Sequence, residues 1–143
     1  MLNFSNSALF DQNTFYETFM RDLRHAKLRV IIESPFITSQ RMKLFLLVFK
    51  KLRKRNVQII VNTRCPDEHG GEYIYQAFEA VMAMQALGVR VFYTVKLHRK
   101  IAIIDDDILW EGSLNILSQN DSYELMRRSV SQQLVKQMTG LIS

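Results

Sequence analysis

The sequence predicts an α/β fold, a central mixed β-sheet flanked by helices, and three observations predict it. Helix-like and strand-like segments alternate as far as Val95, an acidic turn then separates two apolar runs, and no linker, repeat or low-complexity tract divides the chain. Phe15, Phe19, Leu23 and Ala26 recur at spacings of four, four and three behind Thr14, a capping residue type, so a helix is expected over 13–26. Leu28 to Ile32 is a β-branched run stopped by Ser34-Pro35, which reads as a buried strand. A second helix over 39–55 places Met42, Phe45, Leu46 and Phe49 on one side and most of its cations elsewhere. Val57 to Val61 is another strand, and a polar loop follows from Thr63 to Gly71. The third helix, 72–87, closes at Gly88, a residue suited to the left-handed turn that ends helices. Val89 to Val95 is a third strand. Leu97 to Ile104 and Ile108 to Glu111 flank Asp105-Asp106-Asp107, a turn-forming cluster, and are expected as a hairpin. Val130, Leu134 and Met138 at helical spacing mark a last helix packed back on the sheet.

All 143 residues fit one domain, 1–143, which can bury roughly 70% of the surface its unfolded chain exposes. The single cysteine, Cys65, excludes a disulfide framework and multi-cysteine metal sites. Cys65 and His69 make only two ligands in a loop, so no metal site is expected; His25 and His69 read as surface or loop residues. The N-terminus lacks a basic leader with an apolar core, and apolar runs such as Leu44 to Phe49 are far shorter than the ~20 residues of a membrane helix. A soluble, cytoplasmic protein without membrane partners is expected.

Nineteen Lys and Arg oppose fourteen Asp and Glu, and the excess is concentrated: residues 21–64 hold twelve basic side chains and two acids, a net +10. Such a segment either forms a face suited to a polyanion or is a solvated helix surface. Arg64, at its end, is counted among the substrate-binding candidates.

The chemistry-bearing residues fall in one stretch, His98-Arg99-Lys100 through Asp105, followed by Gly112-Ser113-Leu114-Asn115. On a strand His98 and Lys100 project to the same face, which sets a nucleophile beside a fixed positive charge. The hairpin brings Gly112 to Asn115 back to the level of His98, where Gly allows close backbone approach and Ser and Asn supply donors for phosphate oxygens. Trp110 and Tyr123 are aromatics that either pack in the core or stack on a base near the site.

The residues match H-x-K-x4-D-x6-G-S-x-N at every fixed position, a coincidence of roughly one in 10⁷ to 10⁸ at a given start. On this motif the chain resembles the phospholipase D superfamily. The resemblance implies that family's fold and a metal-independent phosphodiesterase without cofactors, in which a histidine attacks phosphorus and a second histidine protonates the leaving oxygen. It assigns His98 as nucleophile or acid, and Lys100, Gly112, Ser113 and Asn115 to the phosphate. Asp105 is implied as an orienting or charge-balancing residue, and Glu124 as an acid hydrogen-bonded to the catalytic histidine. With one motif copy in the chain, the second histidine is expected from a homodimer.

A short chain with one motif copy, no membrane span and a +10 segment favours an endonuclease acting on nucleic acid, DNA first. The pattern from Phe15 to Phe36, ending Ile32-Glu33-Ser34-Pro35-Phe36, also resembles small phospholipase D-like nuclease modules found alone or joined to helicase or restriction components. The alternatives are accordingly a binding or assembly module of such a machine, or a phosphatidyl hydrolase or transferase.

Overall fold

The structure of the protein, a computed structural model, describes residues 6–118 and 121–143. Residues 1–5, part of the N-terminus read above as leaderless, and residues 119–120 lie outside the described residues. The elements run β1 (Ser7–Asp11), α1 (Phe15–Arg24), β2 (Arg29–Glu33), α2 (Ser39–Lys54), β3 (Gln58–Thr63), a 3-10 turn (Pro66–Glu68), α3 (Glu72–Ala86), β4 (Arg90–Tyr93), β5 (Ile101–Ile104), β6 (Ile108–Gly112), β7 (Leu125–Val130) and α4 (Gln132–Ile142). They form one mixed sheet in the order β1-β7-β6-β5-β2-β3-β4. Strands β2, β3 and β4 are mutually parallel, and every other neighbouring pair is antiparallel.

Apolar periodicity sets the layers. α1, α2 and α3 share one face of the sheet, where Phe15, Phe19, Phe45, Phe49 and Trp110 make the largest part of the core. α4 covers the other face, with Val135 against Ile103 and Leu109. The central strand β5 is buried on both faces, so it is continuously apolar rather than alternating. Trp110 packs edge-on to Phe15 and Phe19, and its indole N–H reaches the Asp22 carboxylate at 2.9 Å, which settles it as a core residue.

Several sequence expectations are corrected. Strands β1 and β7 were not anticipated: β7 reads Leu-Met-Arg-Arg-Ser-Val and β1 contains Ser-Ala, polar patterns that become strands because they pair with each other and with β6. Thr14 stands at the start of α1 without a side-chain capping bond; Asp11 closes the turn that precedes the helix, accepting from the Asn13 and Thr14 amides. The strand expected from Leu97 begins only at Ile101, because its partner β2 ends at Glu33 and the next residues, Ser34-Pro35, leave the ladder.

Residues 53–55 and the ends of the first two helices change the reading of the basic segment. Arg53 donates to the Val57 and Leu87 carbonyls, and Arg55 to those of Arg24 and Ala26. These guanidiniums close helix ends beside the starts of β2 and β3. The sixteen-residue α2 rises about 24 Å. The cluster from Lys50 to Arg55 therefore lies at the sheet edge opposite the one described next, rather than flanking it. Among the described residues no helix is long and apolar enough to cross a membrane.

Candidate active site

The motif residues other than Asp105 meet at one sheet edge, beyond the ends of β2, β3 and β6 and ahead of β5 and β7. His98-Arg99-Lys100 leads directly into β5, and the Gly112 amide donates to the Lys100 carbonyl at 3.2 Å, which sets the two motif halves side by side. The Lys100 ammonium curls back to the His98 carbonyl at 2.7 Å. Gly112 is required by space, since a Cβ there would stand 2.1 Å from the Leu125 carbonyl oxygen and 2.9 Å from the Met126 Cα.

Alternating burial aims the second half of the motif. Leu114, Ile116 and Leu117 enter the core, leaving Ser113 exposed and Asn115 half-buried at the edge. The Ser113 hydroxyl accepts from the Leu125 amide at 3.0 Å, and the Asn115 carbonyl accepts from Ser118 N–H. The segment is pinned to the 34–38 loop, where the buried Ser34 hydroxyl accepts the Leu117 amide and the Leu117 carbonyl accepts the Thr38 amide. Tyr16 adds a hydroxyl donation to the Ile116 carbonyl at 2.7 Å, and burial pushes its phenol up to about 12, so it stays a donor.

Arg64 joins this group. Its Nε donates to the Leu97 carbonyl at 2.8 Å, and Nη2 lies 2.9 Å from His98 Nε2. A guanidinium can only donate, so the imidazole nitrogen it meets offers its lone pair. Arg64 and Lys100 thus place two cations around His98.

Two sequence-predicted site residues are not brought to His98. Asp105 stands at the far end of β5 with φ 55°, and its carboxylate accepts from the backbone amides of Lys27, Leu28 and Arg29. It closes the turn and anchors the start of β2, which is structural work away from the site. Glu124 accepts from the Ser122 hydroxyl, and its amide donates to Gln12, so the expected hydrogen bond to His98 is not formed. With Asp11, Gln12, Gly112, Ser113 and the exposed Tyr123, Glu124 lines an open groove of about 800 Å³.

His69 is also relocated: it lies in the expected loop but is 6% exposed, its ring 5.0 Å from that of Phe36. Desolvation, aided by Arg64, holds its imidazole below the ordinary 6.5, while Glu68 opposes the shift. The unfolded chain therefore takes up a proton near pH 6.5 that the folded protein refuses until lower pH, and stability falls as pH drops through that window. In urea unfolding between about pH 5 and 7.5, the His69→Gln protein is expected to lose less stability on acidification than the wild type. Equal slopes would remove His69 from this role. Among the described residues no three His, Cys, Asp or Glu side chains are grouped to hold a metal ion.

Sequence reasoning missed the partner of the motif's variable residue: Arg99 grips Glu33, with Nε–Oε1 at 2.8 Å and Nη2–Oε2 at 3.1 Å. A carboxylate closing an apolar strand was the available signal.

A family model described as "Cardiolipin synthase, PLD-like domain" matches residues 19–142. No curated protein matches the sequence. Among solved structures, the fold is similar to Nuc from Salmonella typhimurium, a phospholipase D family member, at TM-score 0.73 and 15% identity over 94% of this chain and 89% of that one. NucT from Helicobacter pylori gives TM-score 0.73 and 17% identity over 94% and 91%. Phosphatidylserine synthase from Haemophilus influenzae gives TM-score 0.79 and 13% identity over 99% of this chain and 36% of that one.

Proposed function

The chain belongs to the phospholipase D superfamily, and from that premise we propose that it is a metal-independent phosphodiesterase that cleaves nucleic acid through a phosphohistidine intermediate in a site shared by two copies. The observation that carries the reading is the meeting of His98, Lys100 and Arg64 with Gly112, Ser113 and Asn115 at one sheet edge.

In this reading an incoming phosphate draws the Arg64 guanidinium away from His98, because its oxygens accept better than a neutral imidazole. The freed ring nitrogen attacks phosphorus, and a P–N bond replaces the P–O bond to the leaving oxygen. Lys100 and Arg64 offset the charge that builds on the phosphoryl oxygens, while Ser113 and Asn115 fix the phosphate's orientation. The leaving oxygen takes a proton from the imidazolium of His98 in a second copy. That imidazole, now neutral, accepts a proton from water as the water oxygen attacks phosphorus and breaks the P–N bond. The cationic side chains thereby perform the charge stabilisation that a metal ion supplies in other phosphodiesterases.

A nucleic-acid substrate is supported by the single motif copy in these residues and by the net +10 of residues 21–64, which includes Arg64 at the site. With the Lys50 to Arg55 cluster at the opposite edge, the phosphate contacts fall to Arg64, Lys100 and their neighbours. The test incubates the protein with plasmid, single-stranded oligonucleotide and phosphatidylcholine vesicles in excess EDTA. Cleavage of nucleic acid that survives EDTA and declines with salt is expected. Activity lost in EDTA and restored by Mg²⁺ defeats the mechanism, and turnover of phosphatidylcholine alone favours the lipid reading.

A further inference from the structure

The segment carrying His98 and Lys100 keeps one backbone hydrogen bond to β6, from the Gly112 amide to the Lys100 carbonyl, but on its other side it has run past the end of β2, where side chains have to hold it. β2 ends at Glu33, opposite Ile101, so residues 97–100 have no β2 partner in the ladder. On one side Arg99 reaches the Glu33 carboxylate through two hydrogen bonds of 2.8 and 3.1 Å. Glu33 is 1% exposed, and its Oε2 also accepts from Asn62 Nδ2 at 2.8 Å. Asn62 in turn accepts from the Thr94 hydroxyl at 2.8 Å. A polar chain thus runs from the end of β4 across β3 and β2 to the motif's variable residue. In extended backbone, neighbours of a residue point away from it. Fixing Arg99 on one face therefore fixes the direction of His98 and Lys100 on the other.

We propose that Glu33 and Arg99 are positioning residues for the reaction, a clamp anchored on a buried carboxylate that aims the His98 imidazole and the Lys100 ammonium at the phosphate without touching it. The inference rests on the proposed phosphodiesterase reading for its kinetic test, but its geometric content does not. Arg99 is singled out by its planar fork, which a lysine cannot reproduce on a two-oxygen acceptor. Glu33 is singled out by burial: deprived of Arg99, its charge would keep, among the described residues, the Asn62 amide as its side-chain hydrogen-bond donor. The Arg99 guanidinium is further stabilised in its charged form, chiefly by the hydrogen bond to Glu33.

Glu33→Gln keeps the shape and removes the charge; Arg99→Lys keeps the charge and removes the fork. Both, and the double variant, are to be assayed in EDTA on bis(p-nitrophenyl) phosphate and on an oligonucleotide, with the imidazole resonances of His98 recorded by NMR. Each single variant is expected to lose about 10- to 100-fold in kcat with KM within about three-fold, as a small misalignment of a nucleophile does. The double variant is expected to be little worse than either, since both act through one contact. The His98 ring signal is expected to be single in the wild type and to broaden or split in both variants. A raised KM at unchanged kcat in Arg99→Lys would make Arg99 a substrate contact and overturn the clamp. So would kcat within two-fold of wild type, or an unperturbed His98 signal in both variants. If the wild type proves inert on every phosphodiester, the function reading fails, and the NMR comparison still decides the clamp. Should Glu33→Gln not fold, Arg99→Lys, whose side chain is 47% exposed, carries the test.

Discussion

Replacing His98 by Ala is expected to abolish turnover, by about 10⁴-fold or more, while nucleic-acid affinity stays within a few-fold. The variant removes the nitrogen that would attack phosphorus but leaves Lys100, Arg64, Ser113 and Asn115 to bind the phosphate. Arg64 loses only its 2.9 Å contact to the ring and keeps its hold on the Leu97 carbonyl. The effect extends to assembly. One motif copy supplies one histidine, and the two-step chemistry uses two, so each site is expected to take His98 from both members of a two-fold dimer. A mixed dimer of wild-type and His98→Ala subunits, isolated by differential tagging, is then expected to be nearly as inactive as the double-variant dimer. Turnover at half the wild-type rate, or a fully active monomer, would show that the sites are independent. Retained activity in the homogeneous variant would remove His98 from the chemistry.

Gly112→Ala is expected to cost about 3 kcal/mol of stability and at least about 100-fold in kcat. The new methyl would stand 2.1 Å from a carbonyl oxygen and 2.9 Å from a Cα, and both belong to backbone that β7 holds in register. Neither can swing aside as a flexible side chain would. Relief requires moving the β6 end from β7, which displaces Ser113 and Asn115 and strains the Gly112–Lys100 bond. Urea unfolding and steady-state kinetics measure the two parts. A variant with wild-type midpoint and kcat would mean the approach is looser than described. By contrast Gly70 has nothing within 4 Å of its added Cβ, so Gly70→Ala is the matched control.

The fold was legible where local pattern and tertiary demand agree. The apolar stripes of α1, α2 and α4 and the β-branched runs of β2 and β3 have one reading each. It was illegible where pairing overrides pattern: Leu125 to Val130 carries two arginines, and it is a strand because Arg128 reaches the buried Asp22 carboxylate and Arg127 reaches Glu111. The site divides in the same way. His98, Lys100, Gly112, Ser113 and Asn115 are fixed by spacing along a hairpin, so sequence alone brings them together. Asp105 shares their motif but not their edge, because a short strand separates it from Lys100. Glu33 and Asp11 meet the site only through the sheet order, with no fixed spacing to reveal them, while Arg64 was named from the basic segment and the sheet order brings it to His98. The basic segment was open between two readings for a related reason: charge counted along the chain says nothing about which end of a helix faces the site.

The most direct measurement is to trap the covalent intermediate. Protein and oligonucleotide are mixed in excess EDTA, quenched in alkali to preserve a phosphoramidate, digested and analysed by mass spectrometry. The account predicts a nucleotide-sized phosphoryl adduct on the peptide containing His98, attached to its imidazole and absent from the His98→Ala protein. Cleavage of the oligonucleotide under the same conditions with the adduct on another residue would contradict it.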